Sequence, residues 1–166
     1  MRRCICLGIL TIVGVFATMT TYEARQERAS LTVYDVADNL YMLANASTVQ
    51  GMGGGGNTAI FVTNDGVTLV DTKIKGYGQD VLAAVRTLTD KPVTTIINTH
   101  AHFDHVDGNV EFPASVEFVA HENTQRLMRE NNGVRGLGPA RESPFDGNNA
   151  NGIPERTFTD TLTLGS

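Results

Sequence analysis

After its sixth residue this chain has no cysteine: Cys4 and Cys6 are the only thiols in 166 residues. A disulfide framework is therefore excluded, and no thiolate is available downstream as a nucleophile or metal ligand. Positive charge is scarce too. The net charge is −5, with acidic and basic residues interspersed. A nucleic-acid surface needs a basic stripe to neutralise phosphates, and none is present. There is no Gly-x-Ser-x-Gly elbow for a serine hydrolase. The glycine-rich stretch Gly51–Gly56 is not followed by Gly-Lys-Ser/Thr, so it is no phosphate cradle. What remains is ordinary: 41% hydrophobic and 19% charged residues, with room for one domain.

The N-terminus differs from the rest. Arg2 and Arg3 precede an apolar run from Cys4 to Ala17, too short to span a bilayer comfortably. Val15-Phe16-Ala17 offers the small residues that a signal peptidase reads. Residues 1–17 are therefore expected to be a cleaved signal peptide, residues 18–30 a polar linker, and residues 31–166 the domain. A periplasmic or secreted location follows, with no stable membrane association once the signal is removed. Both cysteines leave with the leader, which suits an oxidising compartment.

Strand signals then come in quick succession. Leu31–Val36 and Leu40–Leu43 are β-rich, with Asp38-Asn39 as the turn between them. Thr58–Val62 and Val67–Val70 flank Asn64-Asp65-Gly66, a strong hairpin turn. The pattern Val81, Leu82, Val85, Leu88 predicts a helix over Gln79–Leu88, ended by Asp90-Lys91-Pro92. Val93–Asn98 is a buried strand, Val116–Ala120 another, and Asn123–Glu130 a helix. Thr157–Leu164 starts a further strand. Asn131–Pro154, rich in Gly, Asn and Pro, is expected to be a long connection near the rim of the active site. Strands first, then alternating helix and strand, give an α/β layered domain.

Function is concentrated in His100-Ala101-His102-Phe103-Asp104-His105, which holds three of the chain's four histidines. It follows a buried strand, at whose C-terminal edge sites commonly form. A catalytic zinc site needs neutral imidazoles and carboxylates that converge. Alternate side chains of an extended segment point the same way, so His100 and His102 can hold one ion. Asp104 and His105, at the following bend, turn toward a second. His121 ends a strand and precedes a helix, so capping or packing is its expected role.

The run Thr99-His100-Ala101-His102-Phe103-Asp104-His105-Val106-Asp107-Gly108 resembles the signature loop of the metallo-β-lactamase-fold hydrolases, T-H-x-H-x-D-H-x-x-G. Asp71, ending Val67–Val70, and Gly55-Gly56-Asn57-Thr58 before a strand are similar to two weaker motifs of that family. The resemblance implies an α/β fold, specifically the first half of an αββα sandwich, a mixed β-sheet with helices on its outer face. It implies that His100, His102, Asp104 and His105 bind metal, two Zn2+ ions in a complete domain, with Fe or Mn as alternatives. It gives Asp104 a further catalytic role in aiming the metal-bound hydroxide and makes Asp71 a support for the loop.

The family's domain has two similar halves that each contribute ligands. The chain carries the first, so the other ligands are expected beyond Ser166 and the 166-residue chain is expected to be incomplete and inactive alone. The implied activity is attack of a metal-activated water on an ester, thioester or amide of a small-molecule substrate. One alternative is β-lactam hydrolysis. Another is a non-catalytic metal-binding half-domain that associates with a partner.

Overall fold

Alternating apolar residues along the first four strands build an antiparallel meander. It comprises β1 (Leu31–Ala37), β2 (Leu40–Asn45), β3 (Thr58–Val62) and β4 (Val67–Val70). In the computed structural model, residues 30–45, 53–130, 143–145 and 151–164 are described. The signal segment 1–17, residues 18–29 of the linker, Gly51 and Met52, and most of the 131–154 connection lie outside them.

From β4 onward the connections become crossovers and the sheet becomes parallel. Helix α1 (Gly78–Leu88) leads to β5 (Val93–Asn98). A short helix α2 (Phe103–Val106) and a 3-10 helix (Asp107–Glu111) lead to β6 (Glu117–His121). Helix α3 (Glu122–Arg129) precedes β7 (Arg156–Phe158). All seven strands pair in chain order in one mixed sheet, matching the α/β architecture expected from sequence.

Register explains the core. Ile60 pairs with Leu69, Leu69 with Ile96, and Ile96 with Phe118, so one face carries a buried row of large apolar residues. Val81 and Val85 of α1 cover that row, with Leu82 and Leu88 packed at its margin. Burying each such side chain stabilises the fold by about 1.5–3 kcal/mol. Tyr34 and Phe61, on the other face, are about half exposed.

One expectation needs correction. The strand expected to begin at Thr157 ends at Phe158, because β6 stops at His121 and offers no further ladder partner. Where it is described, the connection between α3 and β7 packs inward. Phe145 and Ile153 bury against Val106 of α2 and Met128 of α3.

Helix α1 has no side-chain cap at Tyr77. Its N-terminus is closed instead by Glu111, whose carboxylate accepts from the backbone N–H groups of Gly76 and Gly78, the latter at 3.0 Å. A negative charge at that end also interacts favourably with the positive end of the helix dipole. Glu111→Ala should therefore destabilise the fold by about 1 kcal/mol, on the scale of a lost cap. Urea titration measures this directly, and an unchanged midpoint would remove Glu111 from the account of α1.

Candidate metal centre

The parallel pairing of β4 with β5 brings the C-terminal ends of both strands side by side. Past Val70 the backbone turns through two left-handed residues, Asp71 (φ 63°) and Lys73 (φ 70°). Such conformations cost a non-glycine residue about 1–3 kcal/mol and persist where the surroundings hold them. Here the surroundings are the Thr99–His105 segment. Asp71 Oδ1 accepts from Thr99 N at 2.9 Å, and Oδ2 accepts from Thr99 Oγ1 at 2.7 Å. Oδ2 also lies 2.7 Å from His105 Nδ1. Thr72 N donates to His105 O at 2.8 Å.

Those bonds determine which ring nitrogens are free. Nδ1 of His105 carries its proton toward the Asp71 carboxylate, which leaves the Nε2 lone pair free. Thr99 Oγ1 has a single proton and gives it to Asp71, so it accepts from His100 Nδ1 at 2.9 Å. The Nε2 lone pair of His100 is thereby free as well. One carboxylate, directly and through one hydroxyl, fixes both tautomers.

The rings converge. His100 lies 4.4 Å from His102 and 4.2 Å from His105, centroid to centroid. Asp104 Oδ2 is 3.6 Å from His105 Nε2. Asp71, His100 and His105 each place a donor atom within 4.8 Å of the others, the one such group of three among the described residues. His102 adjoins that group through His100, and Asp104 through His105. Asp71 is 3% exposed and already accepts three hydrogen bonds, which suits a support better than a ligand. Burial pushes the His100 pKa down, with further lowering from His105 and His102 against the opposing pull of Asp71 and Asp104. A neutral imidazole is what a metal requires. The donor set fits a divalent metal ion.

His121 stands apart, as α3's cap: Nδ1 accepts from Asn123 N at 3.1 Å, and Nε2 lies 2.9 Å from Thr159 O.

Sequence reading missed the polar layer beneath the loop. Asn109 Nδ2 donates to Asn98 Oδ1 and to Gly152 O, both at 2.7 Å, and Thr72 Oγ1 donates to Asn109 Oδ1 at 2.7 Å. A signal existed: Asn98 is a polar residue closing an otherwise buried strand. Gly108 sits so close to Thr72 that a Cβ there would lie 3.0 Å from its carbonyl carbon and nearer still to its oxygen. Lys73 was also missed. It is fully buried, its ammonium donating to Gly56 O at 2.7 Å and Asn45 Oδ1 at 3.2 Å.

The profile of the metallo-beta-lactamase superfamily matches residues 51–164. The chain belongs to that superfamily. Among solved structures, the fold is similar to a metallo-beta-lactamase from Pontibacter korlensis (TM-score 0.61, 24% identity), over 82% of this chain and 56% of that one. It is also similar to a metallo-beta-lactamase from Erythrobacter litoralis, solved with beta mercaptoethanol in its active site (TM-score 0.52, 26% identity, 72% of this chain and 51% of that). A third, from Hirschia baltica, has a TM-score of 0.51 at 28% identity over 67% of this chain and 50% of that. The chain thus spans about half the length of the structures it resembles. Comparison with curated proteins gives no match.

Burial lowers the Lys73 pKa from 10.5 to about 8. Between about pH 8 and 10.5 the unfolded chain therefore binds more protons at this residue than the folded one, and stability rises with pH. Below about pH 8 the cost of burying the charge is fully present. Across pH 8 to 10.5, the wild type should gain unfolding free energy relative to Lys73→Met. Parallel pH profiles for the two proteins would show that the ammonium pays no such cost.

Proposed function

We propose that this chain supplies the metal-binding half of a zinc-dependent hydrolase, with two ions in the complete enzyme. The observation that carries the reading is the convergence of three imidazoles and the Asp104 carboxylate on a loop braced by Asp71. In this reading His100 and His102 hold one ion, and Asp104 and His105 hold the other. Zinc suits an imidazole-rich set with one carboxylate, and iron or manganese would be accepted by the same donors. When bound, the metal pair would lower the pKa of a water and polarise the bond under attack.

The protein's own contribution is orientation and proton handling. Asp71 keeps the His105 ring turned with Nε2 outward, and Thr99 does the same for His100. Asp104 presents a carboxylate beside His105 Nε2, where it can accept a hydrogen bond from a water and aim it at a substrate. The substrate class is a small molecule with an ester, thioester or amide bond. β-Lactam hydrolysis is the narrower version, favoured by likeness to structures named as metallo-beta-lactamases. Two protein ligands per ion are fewer than the three that a catalytic zinc keeps. Further donors from outside this stretch belong to the proposal, and the 166-residue chain alone is expected to show no appreciable turnover.

A second reading is a non-catalytic metal-binding half-domain that pairs with a second copy of itself. The half-exposed Tyr34 and Phe61, with Val36 beside them, favour it. Sedimentation with and without zinc separates the two: a monomer under both conditions ends the pairing idea. Export with cleavage after Ala17 is also proposed, and N-terminal sequencing should begin at or near Thr18.

For the leading reading, His102→Ala should reduce zinc affinity sharply, while His121→Ala should leave it largely intact. Losing even an outer partner of a ligand costs about 10–100-fold in affinity, and losing a ligand costs more. Calorimetric zinc titration of the three proteins is the measurement. Equal losses at both positions would place the site elsewhere. In an extended protein, nitrocefin against a thioester panel then distinguishes the substrate classes.

A further inference from the structure

A fully buried lysine two residues after Asp71 takes no part in the chemistry described so far. Its surroundings give it another task. Three consecutive carbonyls of the glycine loop each have a donor: Gly54 O accepts from Ile74 N at 3.3 Å, Gly55 O from Asn45 Nδ2 at 2.6 Å, and Gly56 O from Lys73 Nζ at 2.7 Å. Lys73 Nζ also donates to Asn45 Oδ1 at 3.2 Å, which ties the two clamping side chains together.

The other side of the loop presses on the metal centre. Gly56 N donates to Asp104 O at 2.8 Å. A Cβ on Gly56 would fall 2.6 Å from His105 Nε2, and one on Gly55 within 2.5 Å of Asp104 O. The loop is therefore a thin plate, with Lys73 and Asn45 behind it and Asp104 and His105 in front. Only a side-chain-free backbone fits so narrow a gap.

We propose that Lys73 is a positioning residue: its ammonium, with Asn45, seats the Gly54–Gly56 plate against Asp104 and His105. Asp71 fixes the His105 ring at Nδ1, and the plate closes its Cε1 edge, between the two ring nitrogens. The ring is then held from two directions, and the ligating nitrogen faces one way only. A buried ammonium does this well because a charged donor makes a hydrogen bond roughly twice as strong as a neutral one. Its two acceptors offset part of the cost of burying it. The zinc arm of the test below rests on the metal-site reading, whereas the plate itself does not.

The test uses the 166-residue chain and its Lys73→Met variant, which keeps most of the apolar stem and removes the donor. Amide hydrogen exchange without metal reads the plate: the Gly56 N–H should be protected in the wild type and exchange much faster in the variant. Ring 15N shifts of His105 should report a single Nδ1-protonated tautomer in the wild type and averaging in the variant. Zinc affinity should fall by about 10–100-fold, as for loss of an outer partner. If Lys73→Met fails to fold, an unprotected Gly56 N–H in the wild type is enough to overturn the proposal. A folded variant with unchanged Gly56 exchange and unchanged His105 shifts would also overturn it. If the wild type binds no zinc while the exchange and tautomer results hold, the metal reading fails and the clamp stands.

Discussion

The Asp71 carboxylate is the constraint on which the rest of this site depends. It stands at the end of β4 in a left-handed conformation that only strong local bonding would keep. Its two oxygens take donors from the backbone and side chain of Thr99 and from the ring of His105. Those partners belong to the segment that leaves β5. One residue thus locks together two adjacent strand ends and sets two histidine tautomers. If it were apolar, the strain at φ 63° would be uncompensated and both imidazoles would be free to turn.

Topology makes that lock possible. The antiparallel meander gives way to parallel strands at β4, so β4 and β5 point their C-terminal ends in the same direction. Ligand sites in such sheets form outside those ends. Here the ends are dense with polar groups: Thr72, Asn98 and Asn109 are all buried, and Thr72 and Asn98 are both bonded to Asn109. An unsatisfied buried polar group costs about 1–3 kcal/mol, so this layer tolerates few rearrangements. The apolar row covered by α1 supplies the stability that lets the layer remain polar and strained.

Much of this was legible in the residues. The His100–His105 segment stood out as a candidate metal loop because four side chains able to ligate fall within six positions. The strands and α1 followed from period-two and helical apolar spacing, which the register then repeated pair by pair. β7 was overextended because Thr157–Leu164 alternates well, while the ladder depends on where β6 ends, and that is set by His121 capping α3. Lys73 was invisible for a different reason. A lysine after a strand reads as solvated, and its burial is decided by a glycine loop that meets it only in three dimensions. Glu111 is similar, for it caps a helix more than thirty positions away.

The two kinds of support around His105 differ in how they would evolve and fail. Asp71 acts through one carboxylate, so an apolar replacement removes charge, acceptor and tautomer control together. The glycine plate acts through shape: Gly55 and Gly56 matter because nothing larger fits between Lys73 and the metal loop. A fixed charge on one side and a fixed void on the other leave the imidazole a single orientation. If His105 serves the proposed metal site, preorganisation of that kind is what it would need, since a ring that must be ordered on binding spends affinity on its own entropy. The cost falls within the fold itself, as a left-handed aspartate, a buried ammonium and a loop of bare backbone, and the hydrophobic core beneath α1 is what carries it.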